Sequence, residues 1–292
     1  MIQLDDLVKK SYSHLPNERA GAAIALGQTH DKTAFSRLVQ MTTDTEPYVI
    51  GDAILALGLL QDSRSYFVLA NLFSRAKEMF RDDAYGIKKR VLNAFGENQD
   101  PRAKELARDA QKDFALEEIA KDTLNKINSR TKPFEYNYNG EEERRQLAEL
   151  NDKRFIIRNY KDLEKAIPII EQEKNGHPSK PQTYIVTTNH ELYLGGDVHE
   201  HVDVAQGEKV LAAGEAFFNK YNGKMVIEKM NNRSYGYFPD KSCYTEVKKA
   251  LENSGIVLPV CHSSSNPTNG WMEQDILDWK WEEIQKIRNP KK

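Results

Sequence analysis

The densest group of chemically capable side chains is Gly195-Gly196-Asp197-Val198-His199-Glu200-His201-Val202-Asp203. Read as extended chain, His199, His201 and Asp203 lie two residues apart and face one side of a strand. Imidazole and carboxylate there could share a zinc ion. Glu215, on the following strand, could complete that site or act as a base. His199, His201, Asp203 and Glu215 are therefore the catalytic candidates, and the first three are also the metal-ligand candidates. The alternative is a wide surface loop whose histidines are ordinary polar residues.

A second constellation spans Met230 to Tyr244, MNNRSYGYFPDKSCY. Asn231, Asn232, Arg233 and Ser234 offer donors to an anion or a carbonyl, and Tyr237 could stack on a ring. Asn and Gly also build turns on which tyrosines pack, so a purely structural reading stands beside the ligand-binding one. Ala212-Ala213-Gly214-Glu215 precedes this turn at hairpin distance, which would let two polar turns converge on one pocket. Counting outward from the Asn222-Gly223 turn sets Glu215 opposite about residue 230, within reach of Arg233 for an ion pair. Cys261 and His262, being adjacent, point to opposite sides of an extended chain and make a poor nucleophile–base pair. No Walker loop, G-x-G-x-x-G, H-E-x-x-H or G-x-S-x-G is present, which removes most common enzyme classes.

These residues need a scaffold, and from Arg154 the chain has the texture of one. FIIRN reads as a strand and KDLEKAIPIIEQEK as a helix, kinked or broken at Pro168. TYIVTT, ELYLGG, EKVLAAGEAFF and KMVIEKMNN read as four β segments joined by Asn-His, Gly-Asp and Asn-Gly turns. DKSCYTEVKKALENSG reads as a helix capped by Asp240 and stopped by Gly255, and IVLPV as a last strand. The order implies an α+β domain with a mainly antiparallel sheet over 154–292. NGWMEQDILDWKWEEIQKIRNPKK reads as a closing helix whose Leu277, Trp281 and Ile284 stripe docks on a domain. Residues 129–153 read as a linker and bridging helix, with Phe134, Tyr136 and Tyr138 alternating as in a strand.

An Ala-Ala-Gly-Glu strand, a hairpin and then Asn-x-x-Ser-x-x-Tyr-x-Pro before a helix are carried here by Ala212–Glu215, Asn231, Ser234, Tyr237 and Pro239. On these residues the segment 183–260 resembles an uncharacterised bacterial domain also seen at toxin-like carboxy termini and in plant calmodulin-binding IQ-motif proteins. The resemblance implies a domain identity and no particular reaction. Where a His-Ser pair often opens that pattern, this chain has Glu200-His201-Val202-Asp203.

The first 128 residues read differently. NERAGAAIALGQTHD, PYVIGDAILALGLLQD and GIKKRVLNAFGENQD align without gaps on Gly27, Gly58 and Gly96, spaced 31 and 38 residues apart. Leu26, Leu57 or Phe95 precedes each glycine, and Asp31, Asp62 or Asp100 follows four places on. The alanines before them let helices approach closely, the glycine is expected as a left-handed helix stop, and the Asp as the cap of the next helix. LDDLVKK, TAFSRLVQM, SYFVLANLF and AKELARDAQ supply partner helices, and a weaker fourth unit follows at 115–127. On this spacing residues 1–128 resemble the short bacterial form of the HEAT family, which implies an α-solenoid that holds a partner on its free face. The family's Asp–Arg ladder is absent: Arg19 fits its arginine place, whereas Ile50 and Lys88 occupy it elsewhere.

Composition bounds the function. The 292 residues suit about two domains, and 42 basic against 44 acidic residues leave a net charge of −2. Lys88-Lys89-Arg90 and Arg144-Arg145 are too sparse for a nucleic-acid stripe. No run approaches the ~20 apolar residues of a membrane span, and the mean hydropathy is −0.70. MIQLDDLVKK is acidic where a signal peptide is basic, and two cysteines fit a reducing, cytoplasmic setting. The expectation is an intracellular adaptor or sensor: the solenoid grips a protein partner and the α+β domain carries a recognition pocket. Its rival is an enzyme, a hydrolase or group transferase of toxin or defence type, with its site in the second half. No cofactor is expected, apart from zinc at the histidine segment.

Overall fold

The computed structural model describes residues 4–140, 142–149, 154–173, 181–195, 200–221, 224–256 and 271–272. His199, the Asn222-Gly223 turn, the IVLPV strand after Ile256, Cys261, His262 and the Leu277-Trp281-Ile284 stripe lie outside them. The chain divides into two compact units, Met1–Lys132 and Pro133–Lys292. No helix among the described residues is long and apolar enough to cross a membrane.

The first unit is all helix: α1 (Leu4–Lys10), α2 (Pro16–Gln28), α3 (Phe35–Met41), α4 (Pro47–Leu59), α5 (Ser65–Ser74), α6 (Ala76–Phe80), α7 (Ala84–Asn98), α8 (Lys104–Ala110) and α9 (Glu117–Asn128). Pro16 and Pro47 open α2 and α4 at the first helical position, where a missing N–H costs nothing. Helices α2, α4, α7 and α9 pack on one another in that order; α1 packs on α2 and α8 on α9, while α3 packs on α2 and α4 and α5 on α4 and α7.

The four central helices run parallel. At their amino ends Tyr48 Oη donates to Asn17 Oδ1 at 3.0 Å. Towards their carboxy ends a Cβ on Gly27 would stand 2.6 Å from the Ala56 carbonyl oxygen, and one on Gly58 2.5 Å from that of Ala94. Thr123 Oγ1 to the Leu92 carbonyl (2.9 Å) and Gln99 Nε2 to the Lys126 carbonyl (3.1 Å) set α9 beside α7 in the same direction.

This corrects the expected role of the glycines. Gly27, Gly58 and Gly96 lie inside the last turns of α2, α4 and α7. Gly27 and Gly58 are small because a neighbouring backbone passes where a side chain would be. The left-handed residues come three places later, at His30, Gln61 and Gln99 (φ 56°, 52° and 53°). The Asp after each caps or anchors the next turn: Asp31 accepts from Thr33 N, Asp62 from Arg64 N and Asp100 from Arg102 N.

The sequence also concealed a second repeat. In Asp62-x-Arg64 and Asp100-x-Arg102 the guanidinium folds back on its own carboxylate, with Nη2–Oδ2 distances of 2.6 Å in both. Each Nη2 also reaches the previous unit, at the carbonyl of Lys32 (3.0 Å) or Ser63 (2.5 Å). Arg64 lies over the Phe35 ring and Arg102 over Tyr66. These clasps tie adjacent units together, while Arg19 pairs with Asp44 at 2.7 Å.

The second unit contains α10 (Glu142–Glu149), β1 (Phe155–Ile157), α11 (Tyr160–Glu173), β2 (Gln182–Thr187), β3 (Leu192–Gly195), α12 (His201–Ala205), β4 (Val210–Tyr221), β5 (Lys224–Asn231), α13 (Tyr244–Asn253) and β6 (Trp271–Met272). One sheet has the order β1-β3-β2-β4-β5-β6. Its first five strands are mutually antiparallel and β6 runs parallel to β5, giving an α+β unit. Tyr136 bridges to Val210 as the alternating aromatics suggested. The core gathers Tyr136, Tyr184, Leu194, Ala213, Tyr237 and Val247.

Several local expectations are corrected. Helix α11 is not broken at Pro168, which lies at an exposed position within it. Trp271 and Met272, expected in the closing helix, pair with β5 instead. Asp240 turns its carboxylate to Tyr136 Oη and Ser242 Oγ, both at 2.6 Å, rather than capping the turn that leads into α13.

Candidate functional site

The histidine segment is not a strand over its described part. His201–Ala205 forms the short helix α12, ended by left-handed Gln206 and Gly207. Residues two apart on a helix point to different sides, so the expected alignment of His201 with Asp203 is lost. Gly207 N donates to the Val202 carbonyl and Gln206 N to that of Asp203, a helix stop that the Ala-Gln-Gly sequence does signal.

Both candidate ligands have other work. His201 Nε2 lies 2.9 Å from the Gly214 carbonyl oxygen, which can only accept, so that nitrogen carries the proton. Desolvation lowers the His201 pKa to about 4, with the bond to Gly214 acting against it. Buried Asp203 accepts from Glu200 N at 3.0 Å and pairs with Arg144 of α10, whose guanidinium also lies 3.7 Å from Glu200. Arg144 has its pKa raised, chiefly by the hydrogen bond to Asp203. Among the described residues no group of three or more His, Cys, Asp or Glu could hold a metal.

Glu215 and Asn231 form the second cluster. The β4–β5 register pairs Ala216 with Met230, and it slips by one where Phe217 faces Lys229 but Phe218 faces Ile227. This bulge at Glu228 moves the pairing one residue from the count made around the turn. Glu215 therefore meets Asn231 side chain to side chain: Asn231 Nδ2 donates to Glu215 Oε2 at 2.9 Å, and Asn231 Oδ1 accepts from Glu215 N at 3.0 Å. Asn231 Oδ1 also accepts from Arg233 N, and its carbonyl from Tyr184 Oη at 2.8 Å. Gly214 has no room for a Cβ, since the Asn231 carbonyl occupies that place.

The rest of the turn is sorted by burial. Asn232, Ser234 and Tyr237 are buried. Asn232 Nδ2 donates to the Pro239 carbonyl, Ser234 Oγ accepts from Tyr237 N, and Tyr237 Oη donates to the Glu208 carbonyl at 2.7 Å. Burial raises the Tyr237 pKa well above that of a free tyrosine. Tyr237 is thus a core residue, and the half-exposed ring of this turn is Tyr235, which sequence reasoning missed. Arg233 donates to Tyr235 Oη through Nε (3.1 Å) and Nη2 (2.6 Å); the expected ion pair with Glu215 does not form. Glu215 contributes only a more distant charge that helps raise the Arg233 pKa, mainly after the hydrogen bond to Tyr235.

A cavity of about 390 Å³ is lined, among the described residues, by Tyr138, Gly140, Glu200, His201, Val202, Tyr235 and Gly236, so that His201 reaches it while Glu215, Asn231, Arg233, Ser234 and Tyr237 do not. Tyr138 is wedged in place: a Cβ on Gly236 would stand 2.5 Å from its ring, which also packs on Tyr237 at 5.8 Å between centroids. A second, more polar cavity of about 430 Å³ lies beside the β2–β3 turn, where Arg154 covers the Tyr193 ring and Lys209 pairs with Glu135 at 3.0 Å. None of the residues singled out from the sequence lines it. No protein-family model matches the chain, and comparison with curated proteins returns no match.

Proposed function

We propose that this chain is a protein-interaction adaptor whose first unit works as a short HEAT-like α-solenoid and whose second unit carries a recognition pocket. The observation that carries the reading is a row of exposed apolar side chains on one edge of the first unit. Tyr12, Leu15, Tyr48, Met79, Tyr85 and Phe114 are its exposed large hydrophobic residues among those described, and Phe114 is 94% exposed. All lie in the segments that lead into α2, α4, α7 and α9 or in their first turns. Because those helices run parallel, their amino ends share one edge, and among the described residues no large exposed apolar side chain marks the other end.

Isolated surface hydrophobics need no explanation, but a row with at least one member in every structural unit does. Tyrosine and phenylalanine are also the anchors that interfaces favour. Tyr12 is covered by the Arg37 guanidinium at 3.6 Å, and Tyr85 meets Asp113, so these rings are held rather than loose. Parallel helices, close packing at Gly27 and Gly58, and the repeated Asp-x-Arg clasp all support a repeat architecture built to present such an edge. In the second unit His201 stays neutral near pH 7 and gives one nitrogen to Gly214. That suits recognition better than base catalysis.

The test is capture from an extract of the source cell with the full chain and a Tyr48→Ala/Tyr85→Ala/Phe114→Ala variant. Exposed rings contribute little to folding, so the variant keeps its melting temperature and loses the proteins that the unaltered chain retains. Equal capture by both would dismiss the edge as the binding surface.

A further inference from the structure

We propose that the polar cavity beside the β2–β3 turn binds a free basic α-amino acid, its carboxylate on Arg154 and its two cationic groups on Glu191 and Glu208. The proposal rests on the reading that the second unit carries a recognition pocket, and it names what such a pocket takes.

Charge carries the argument. The charged side chains lining this cavity of about 430 Å³ are Glu135, Arg154, Glu191, Glu208 and Lys209. Lys209 and Glu135 pair at 3.0 Å and cancel. Among the described residues Arg154, Glu191 and Glu208 have no ion-pair partner. The wall therefore keeps one positive and two negative charges without counter-ions. Its complement is a molecule with one anionic and two cationic groups.

Position narrows the class. The Arg154 guanidinium lies over the Tyr193 ring, 4.5 Å from its centroid, and Nη1 donates to the Val204 carbonyl at 3.2 Å. Those contacts hold the side chain and leave further N–H donors for a carboxylate. Half-buried Glu191 lies two residues before Tyr193, about 7 Å along an extended chain. Arg154 and Glu191 thus flank one stretch of wall without pairing, a gap that an α-carboxylate and its neighbouring ammonium can bridge. Buried Ile185 and Ala205 give apolar surface for the methylenes of a long side chain, and exposed Glu208 supplies the remaining negative charge. The volume is at the small end of ligand sites, room for one amino acid. A neutral amino acid would leave one carboxylate unmatched, and a polyamine would leave Arg154 unmatched.

The experiment is calorimetric titration of the full chain with L-lysine, L-arginine, L-leucine, L-glutamate and agmatine, which is arginine without its carboxylate. Lysine or arginine should bind with a Kd below about 1 mM, a value ordinary for a small site. Leucine and agmatine should bind about tenfold more weakly or worse, and glutamate not at all. Arg154→Gln should weaken arginine about tenfold, to the level of agmatine. Glu208→Gln should weaken lysine towards the level of leucine; its position is exposed, so it keeps the test decisive if loss of Arg154 unsettles the fold. Circular dichroism melting shows which variants fold. Leucine binding as tightly as lysine would overturn the basic class, and agmatine binding as tightly as arginine would overturn the role of Arg154. No binding of lysine or arginine, or binding untouched by both substitutions, would overturn the site. The Tyr48→Ala/Tyr85→Ala/Phe114→Ala variant should bind lysine or arginine normally, so failure of the adaptor reading and failure of this one are seen separately.

Discussion

Arg102→Met isolates a carboxylate that the fold has sealed from water. Asp100 and Arg102 are buried, with side chains 0% and 1% exposed. Arg102 supplies Nε to Asp100 Oδ1 at 2.9 Å and Nη2 to Oδ2 at 2.6 Å, and the same Nη2 serves the Ser63 carbonyl at 2.5 Å. Methionine fills similar volume but leaves the Asp100 charge, among the described residues, with only the backbone N–H of position 102. Removing one partner of a buried pair costs about 3–5 kcal/mol. In a unit of this size that lowers the melting temperature by about 10 °C or more. Asp100→Asn/Arg102→Met removes the stranded charge while keeping an acceptor for the turn, and should recover much of the loss. Arg64→Met, whose guanidinium side chain is 23% exposed, admits water to Asp62 and should cost less, about 2 kcal/mol. Denaturant unfolding gives the magnitude, and amide exchange across α7–α9 assigns it to the first unit. A loss under about 1 kcal/mol, or a double variant no more stable than the single one, would refute a stability role for the clasp.

Other expectations follow from equally local geometry. Gly58→Ala should destabilise by about 1–3 kcal/mol through overpacking against Ala94, whereas Gly21→Ala, with open space around it, should be neutral or slightly stabilising by melting. His201 has a folded pKa of about 4, below its free value of 6.5. Only the unfolded chain takes up that proton at first, so its contribution is complete above about pH 6.5 and is lost as pH falls towards 4. This is up to about 3 kcal/mol of acid sensitivity. His201→Gln should flatten the pH–stability curve there, and an NMR titration midpoint near 6.5 would contradict the lowered pKa. Tyr237→Phe strands the Glu208 carbonyl and should cost about 1–2 kcal/mol by denaturant unfolding.

Much of this fold was legible because its repeats act through spacing. Ala-Leu-Gly, or Ala-Phe-Gly in the third, and the Asp four residues on mark the same places in the repeats of α2, α4 and α7. What the glycines do there was not legible, because a helix stop and a close crossing leave the same residue. The left-handed positions went to His30, Gln61 and Gln99, side chains that carry little signal for that conformation. The Asp-x-Arg clasp was missed because the familiar ladder was sought on the helices rather than in the turns between them.

In the second unit, alternation located β2 to β5, but α12 is too short for periodicity to register. Its loss as a strand dissolved the expected metal face. Asn231 was found as a site of dense hydrogen bonding, while its pairing with Glu215 depended on a bulge that no residue announces. Tyr235 and Tyr237 are two apart in one polar turn. Tyr237 is the buried one and Tyr235 the half-exposed one, a difference that their shared residue type does not signal.

The measurement that bears most directly on the adaptor reading is site-specific photo-crosslinking of the full chain in an extract of the source cell. A benzophenone side chain would replace Tyr48, Tyr85 or Phe114 in turn. Gln28 and Gln61, exposed at the opposite ends of α2 and α4, serve as matched positions. The account predicts one and the same protein joined from all three edge positions and from neither of the other two. Crosslinks to that protein from Gln28 and Gln61 but not from the edge would contradict it, as would no protein joined from any of the three.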